Sequence, residues 1–80
     1  MDALVTAMLS HSDALLHDPL LQAGQQVAEA EERREQQMRV LSGLAQGSPA
    51  RIYAEHVLSE IERTVVLSRM HLELIQNLLG

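Results

Sequence analysis

Apolar residues recur at alternating spacings of four and three over the last part of the chain. This row ends at Leu79 and contains a single polar member, Ser68: Ala54, Leu58, Ile61, Val65, Ser68, Leu72, Ile75 and Leu79. Such spacing is typical of a coiled-coil seam and predicts a helix over residues 49–79.

A second apolar set lies beside this seam, and it consists of Val66, Leu67, Met70, Leu74 and Leu78. A helix that is apolar around so much of its circumference needs cover on more than one side. We predict that the second set binds a partner and that the internal seam is formed by Leu58, Ile61, Val65, Leu72 and Ile75. The two sets exchange roles if the preceding helix docks one turn away. Covering four or five such side chains stabilises an association by about 10 kcal/mol before entropy is subtracted, at about 25 cal/mol per Å².

An earlier helix is predicted over residues 19–45. Asp18 supplies an N-cap and Pro19 a preformed first position. The apolar stripe of this helix is narrow and is interrupted by one arginine: Leu20, Ala23, Val27, Ala30, Arg34, Met38, Leu41 and Leu44. Such a stripe can cover one seam of the following helix.

The residues before Asp18 predict a short helix over 2–16. Leu4, Met8, Leu15 and Leu16 fall roughly on one face of it, and the charge of Asp2 suits the N-terminal turn. This short helix, a second copy of the chain or a different protein would have to cover the surplus apolar face of the helix over 49–79.

The connection between the two long helices is short. Gly47 fits a left-handed C-cap, and Ser48 with Pro49 repeats the N-cap signal, so the predicted turn occupies residues 46–48. A joint of this length folds the chain back on itself, unless the helices continue as one kinked rod. We predict a single all-α domain over residues 1–80: an antiparallel, coiled-coil-like helical hairpin with a short N-terminal helix.

The composition narrows the range of partners. The net charge is −5 and all cationic side chains are arginines, three of which lie among glutamates, which argues against nucleic acid. No apolar run is long enough for membrane insertion. The chain has no cysteine, which is compatible with a cytoplasmic location and excludes disulfides and thiolate metal sites.

No residue pattern indicates catalysis, a cofactor or a metal. His11 and His17 are six residues apart, which is not a same-face spacing. His56 and Glu60 are four apart, but no second pair of ligands accompanies them. The serines lie at caps or within helices rather than at a strand-to-helix elbow. We therefore expect a non-enzymatic protein without cofactor.

The third helical segment resembles a known family. The stretch EIERTVVLSRMHLELI, with Arg69 and His71 near its centre, is similar to the C-terminal helix of small bacterial co-chaperones of type III secretion needle subunits. The resemblance extends over about Glu32 to Ile75 and includes the hairpin turn at Gly47, Ser48 and Pro49.

This resemblance implies a cytoplasmic, non-catalytic bacterial protein that pairs with a helical-repeat chaperone. The two together would keep the needle subunit soluble before export. Two other interpretations of the residues stay open. In the first, the chain is itself a rod or needle subunit of a secretion apparatus, and such a subunit polymerises and is exported. In the second, the chain is a homodimeric coiled-coil adaptor.

Overall fold

Two helices form the part of the protein that the structure, a computed structural model, describes, which is residues 18–79. Helix α1 spans Pro19–Ser42 and helix α2 spans Pro49–Leu79. The predicted helix over residues 2–16 lies outside the described residues. Within residues 18–79 the chain is all-α, and the two helices pack against each other along their length.

Both helices begin where the capping residues predict. The backbone N–H of Leu21 donates to Oδ1 of Asp18 at 3.0 Å, and Pro19 occupies the first turn, where its missing N–H leaves no bond unmade. At the second helix the N–H of Arg51 donates to Oγ of Ser48 at 3.1 Å, and the N–H of Ile52 donates to the Ser48 carbonyl at 3.0 Å. Each Ser or Asp therefore satisfies one of the free N–H groups of a helix start.

Helix α1 ends earlier than predicted, at Ser42 rather than at residue 45. Its C-cap is Gly43, which has φ −91° and ψ 0°, and the N–H of Leu44 turns back to the Leu41 carbonyl at 3.0 Å. Gly47 is left-handed, with φ 79°, but it lies within the connection rather than at the helix end. The connection therefore occupies residues 43–48 instead of 46–48.

The bonds between the helices establish that they are antiparallel. Near the turn, Nη1 of Arg51 donates to the backbone oxygens of Leu41 and Leu44, both at 3.0 Å. Far from the turn, Glu31 pairs with Arg69. The prediction of an antiparallel helical hairpin is confirmed, and a continuous kinked rod is excluded.

The interface between the helices is built from small side chains. Its buried apolar residues, within the described part of the chain, are Ala23, Ala30, Leu41, Ala54 and Val65. Three alanines at the contact allow the two backbones to approach closely. The predicted seam of α2 faces α1, because its other members are half-buried: Leu58, Ile61, Ser68, Leu72 and Ile75.

Three predicted interface positions are wrong. Met38 is 47% exposed. It follows Ala30 by two steps of four residues, and each step turns the side chain about 40° past a full turn, so Met38 lies about 80° away from the side of Ala30. Gln37 is half-buried in its place. Leu20 and Leu79 are 42% and 63% exposed. They lie at the open end of the hairpin, where α1 begins and α2 ends, so little of the other helix is there to cover them.

Candidate protein-binding surface

The second apolar set of α2 faces away from α1. Its five members are between 54% and 72% exposed, and they are Val66, Leu67, Met70, Leu74 and Leu78. We call these residues the outer face. The seam set is therefore internal in the described hairpin and the outer face is exposed, which is the first of the two arrangements that the sequence left open. The binding role of the outer face stays a prediction.

Helical spacing places the outer face in the second half of α2 only. Towards the start of the helix the same side carries the polar residues His56, Ser59 and Arg63. Ile52 and Tyr53, 49% and 71% exposed, are the exposed apolar residues there. The apolar surface is thus a compact patch near the open end of the hairpin, not a stripe along the whole helix.

The centre of the outer face is a shallow depression. It is lined by one methionine, one leucine and three polar residues: Met70, His71, Glu73, Leu74 and Asn77. This depression is open and has no enclosed volume in which a substrate would be separated from water. An apolar side chain of a partner helix would contact its two apolar residues, while polar groups would remain near water at its rim.

Ion pairs occupy one edge of the contact between the helices. Nη2 and Nε of Arg69 donate to Oε1 of Glu31 at 2.8 and 3.2 Å. Along the same edge, Nε of Arg34 lies 3.8 Å from Oε2 of Glu62. The arginine that interrupts the apolar stripe of α1 is therefore half-buried and paired. All four side chains are partly exposed, so each pair contributes little to stability.

The other edge of the contact is an open groove. It is lined by small and polar residues from both helices: Gln26, Glu29, Ala30, Arg33, Thr64 and Ser68. None of the ion pairs between the two described helices lies at this edge. Steps of three and four residues from Thr64 and Ser68 lead along α2 to Leu67, Leu74 and Leu78. The groove thus continues into one flank of the outer face.

Two exposed apolar side chains near the turn were missed by the sequence patterns. Tyr53 is 71% exposed and Val40 is 51% exposed. Both lie beside seam positions rather than on them, so spacing alone predicted neither burial nor a role.

The described residues provide no metal or membrane-spanning site. Within residues 18–79 no three His, Cys, Asp or Glu side chains converge as metal ligands, and His56 and Glu60 have no further ligand beside them. His11 and His17 lie outside the described residues. Neither α1 nor α2 is both long and apolar enough to cross a bilayer. The outer face is the candidate binding surface of the described residues, because its apolar side chains are exposed.

Comparisons with known proteins do not assign the chain to a family. No protein-family model matches it, and neither a curated protein nor a solved structure is significantly similar to it.

Proposed function

We propose that this chain is a non-catalytic protein-binding module that shields an apolar helix of a partner protein. The observation that carries the proposal is the exposure of the outer face, every member of which is more than half exposed while the seam beside it faces α1. An exposed apolar patch of this kind, rimmed by polar residues, is typical of a site that binds another protein.

The spacing of the outer face suits a helical partner. Leu67, Met70 and Leu74 follow each other at intervals of three and four, as the anchors of helix-on-helix contacts do. The rim contains one carboxylate, Glu73, together with His71 and Asn77, so it imposes little net charge. A partner helix with its own apolar stripe and few acidic residues at the contact would fit best.

The narrower form of this proposal is a co-chaperone of a type III secretion needle subunit. It is supported by the similarity of the Glu60 to Ile75 stretch to that family and by the hairpin with one exposed apolar helix face. In this form the protein acts in the bacterial cytoplasm. It pairs with a helical-repeat chaperone, and the two keep the needle subunit unpolymerised before export.

The proposal is tested by capture from the cytosol of the source cell with three full-length baits. The first is the wild-type chain, and the second carries Met70→Glu with Leu74→Glu. The control carries Ile52→Glu with Tyr53→Glu, which adds the same charge to exposed apolar residues at the other end of α2. We expect the wild-type chain and the control to retain a helical-repeat protein that the outer-face variant loses. Equal retention by all three baits would contradict the proposed surface.

Light scattering coupled to size exclusion, over a tenfold range of concentration, separates the other interpretations. Growth of the pure chain into large or fibrous species would replace the co-chaperone proposal with a rod or needle subunit. A dimer that forms with concentration and is abolished by Met70→Glu with Leu74→Glu would indicate a homodimeric adaptor instead.

A further inference from the structure

Two ion pairs between the helices divide the described hairpin into two halves. Glu31 pairs with Arg69 on one side of the division, and Arg34 lies beside Glu62 on the other. Because α1 and α2 are antiparallel, a cut between these two pairs crosses both helices at one level. We call residues 18–32 and 64–79 the open-end half, and residues 33–63 the turn half. The outer face lies entirely in the open-end half.

The two halves differ in charge. The open-end half contains five carboxylates and one arginine: Asp18, Glu29, Glu31, Glu32, Glu73 and Arg69. Its net charge is therefore −4, with histidine counted as neutral. The turn half contains five arginines and four glutamates, which give it a net charge of +1. The apolar outer face is thus set in the acidic half of the described hairpin.

The excess negative charge is carried by side chains beside the outer face. Asp18 caps α1 and Glu31 pairs with Arg69, so these two carboxylates are already engaged. The other three form no ion pair with a described residue: Glu29, Glu32 and Glu73. Glu73 lines the depression in the outer face. Glu29 lines the open groove that leads to it, and Arg33 lines the same groove at its end towards the turn.

This charge disfavours a second copy of the chain as the occupant of the outer face. A symmetric dimer through this surface would bring the same patch of both copies together, and two halves of net charge −4 would then adjoin. Like charges brought together across an interface oppose association. Nucleic acids and anionic lipids are repelled for the same reason. A helix whose apolar stripe is flanked by lysine or arginine has the opposite charge and is attracted.

We propose that the outer face binds a basic amphipathic helix of a different protein. The apolar stripe of this helix contacts Leu67, Met70 and Leu74, and its cationic side chains lie near Glu73 on α2 and Glu29 on α1. The inference rests on the proposed function, because it specifies the partner helix of that same surface. The acidic half also steers such a helix towards the outer face before contact, within about 8 Å at physiological salt.

Two model peptides of about 18 residues test the proposal on the full chain. Both carry the same leucine stripe at spacings of three and four, but one has lysine and the other glutamate at the positions that flank it. We expect the lysine peptide to bind at least about tenfold tighter in about 0.05 M salt, and the difference to shrink in about 0.5 M salt, because salt screens the charges. Fluorescence anisotropy of the labelled peptides measures both affinities.

Variants of the chain locate the attraction. Glu29→Gln with Glu73→Gln should weaken binding of the lysine peptide about fivefold, since two exposed charges are lost. The control is Glu35→Gln with Glu55→Gln, which removes the same charge from exposed positions of the turn half. It should weaken binding less than about twofold, because those positions lie beyond the screening length. Equal weakening by the two variants would mean that the peptide responds to the net charge of the chain and not to this surface.

Equal binding of the two peptides, or tighter binding of the glutamate peptide, would overturn the inference. Met70→Gln with Leu74→Gln separates this failure from a failure of the proposed function, because it removes apolar contact without changing the charge. If this variant lost both peptides and the wild-type chain bound them equally, the surface would be correct and its charge preference wrong. If the variant retained the lysine peptide, or the wild-type chain bound neither peptide, the inference and the proposed function would both fail.

Discussion

The side chain of Gln37 on α1 donates a hydrogen bond to the backbone oxygen of Ala54 on α2, with a distance of 2.9 Å from Nε2 to O. Ala54 is buried and lies within α2, where its backbone carbonyl also accepts a hydrogen bond of the helix. The amide therefore occupies a second acceptor position and links the two helices at one fixed register.

Replacing Gln37 by Ala should lower the free energy of unfolding by about 1 kcal/mol, because a partly buried hydrogen bond between the helices is lost. Gln36→Ala is the matched control, since Gln36 is exposed on the same helix and the change in helix propensity is the same. Urea unfolding followed by circular dichroism measures both. A loss of the same size in the control would refute the importance of this bond.

Arg51 should be the most important charged residue of the turn. Its Nη1 donates to the carbonyl of Leu41 in the last turn of α1 and to the carbonyl of Leu44 in the connection. We expect Arg51→Met to lower the free energy of unfolding by about 1–2 kcal/mol, because charge-assisted bonds at a helix C-terminus are lost. The free energy of unfolding of Arg51→Lys should lie between those of the wild type and Arg51→Met, since lysine keeps the charge but lacks the planar donor group.

Arg63→Met serves as the control for Arg51, because Arg63 is exposed on the same helix. Its effect should stay within about 0.5 kcal/mol. If Arg51→Met proved as mild as this control in thermal and urea unfolding, the capping role assigned to its guanidinium would be wrong.

Two glycines should respond in opposite directions to the same substitution. Gly47 has φ 79°, so Gly47→Ala should destabilise the protein by about 1 kcal/mol or more. Gly24 lies within α1 and has open space around the position of an added Cβ, so Gly24→Ala should stabilise it by up to about 1 kcal/mol. Melting temperatures of the two variants give the test, and the same sign for both would contradict the described backbone.

Ala30 should not tolerate a larger side chain. It is 4% exposed between the helices, so Ala30→Leu should force them apart and lower the free energy of unfolding by about 1–3 kcal/mol. Ala28→Leu, at an exposed position of the same helix, should change it by less than about 0.5 kcal/mol. A neutral Ala30→Leu in urea unfolding would mean that the alanine contact is not tightly packed.

The sequence predicted the features that depend on local signals. The caps at Asp18 and Ser48, the long helix over 49–79 and the hairpin all follow from residues close to each other in the chain. The apolar repeat of α2 also identified which side of that helix faces α1, because Leu58, Ile61 and Val65 keep the alternating spacing.

The features that depend on how the helices are rotated and paired could not be predicted. Spacing placed Met38 in the interface, yet Gln37 lies there, and its side-chain amide donates to the Ala54 carbonyl across the contact. At the early end of α1, the carbonyls of Leu41 and Leu44 accept hydrogen bonds from Arg51, a residue of the other helix. The apolar spacing of α2 likewise identified the residues of the outer face, but it could not show which flank of that face is open, because this depends on how the helices pair.

The scarcity of buried side chains has a consequence for how much of this protein a cell contains. No large side chain is fully buried among residues 18–79, so the hairpin has little free energy with which to resist unfolding. A ligand that binds only the folded chain shifts that balance by mass action, and proteases remove the unfolded fraction. With synthesis held constant, the steady-state amount of the protein should then rise and fall with the supply of its partner.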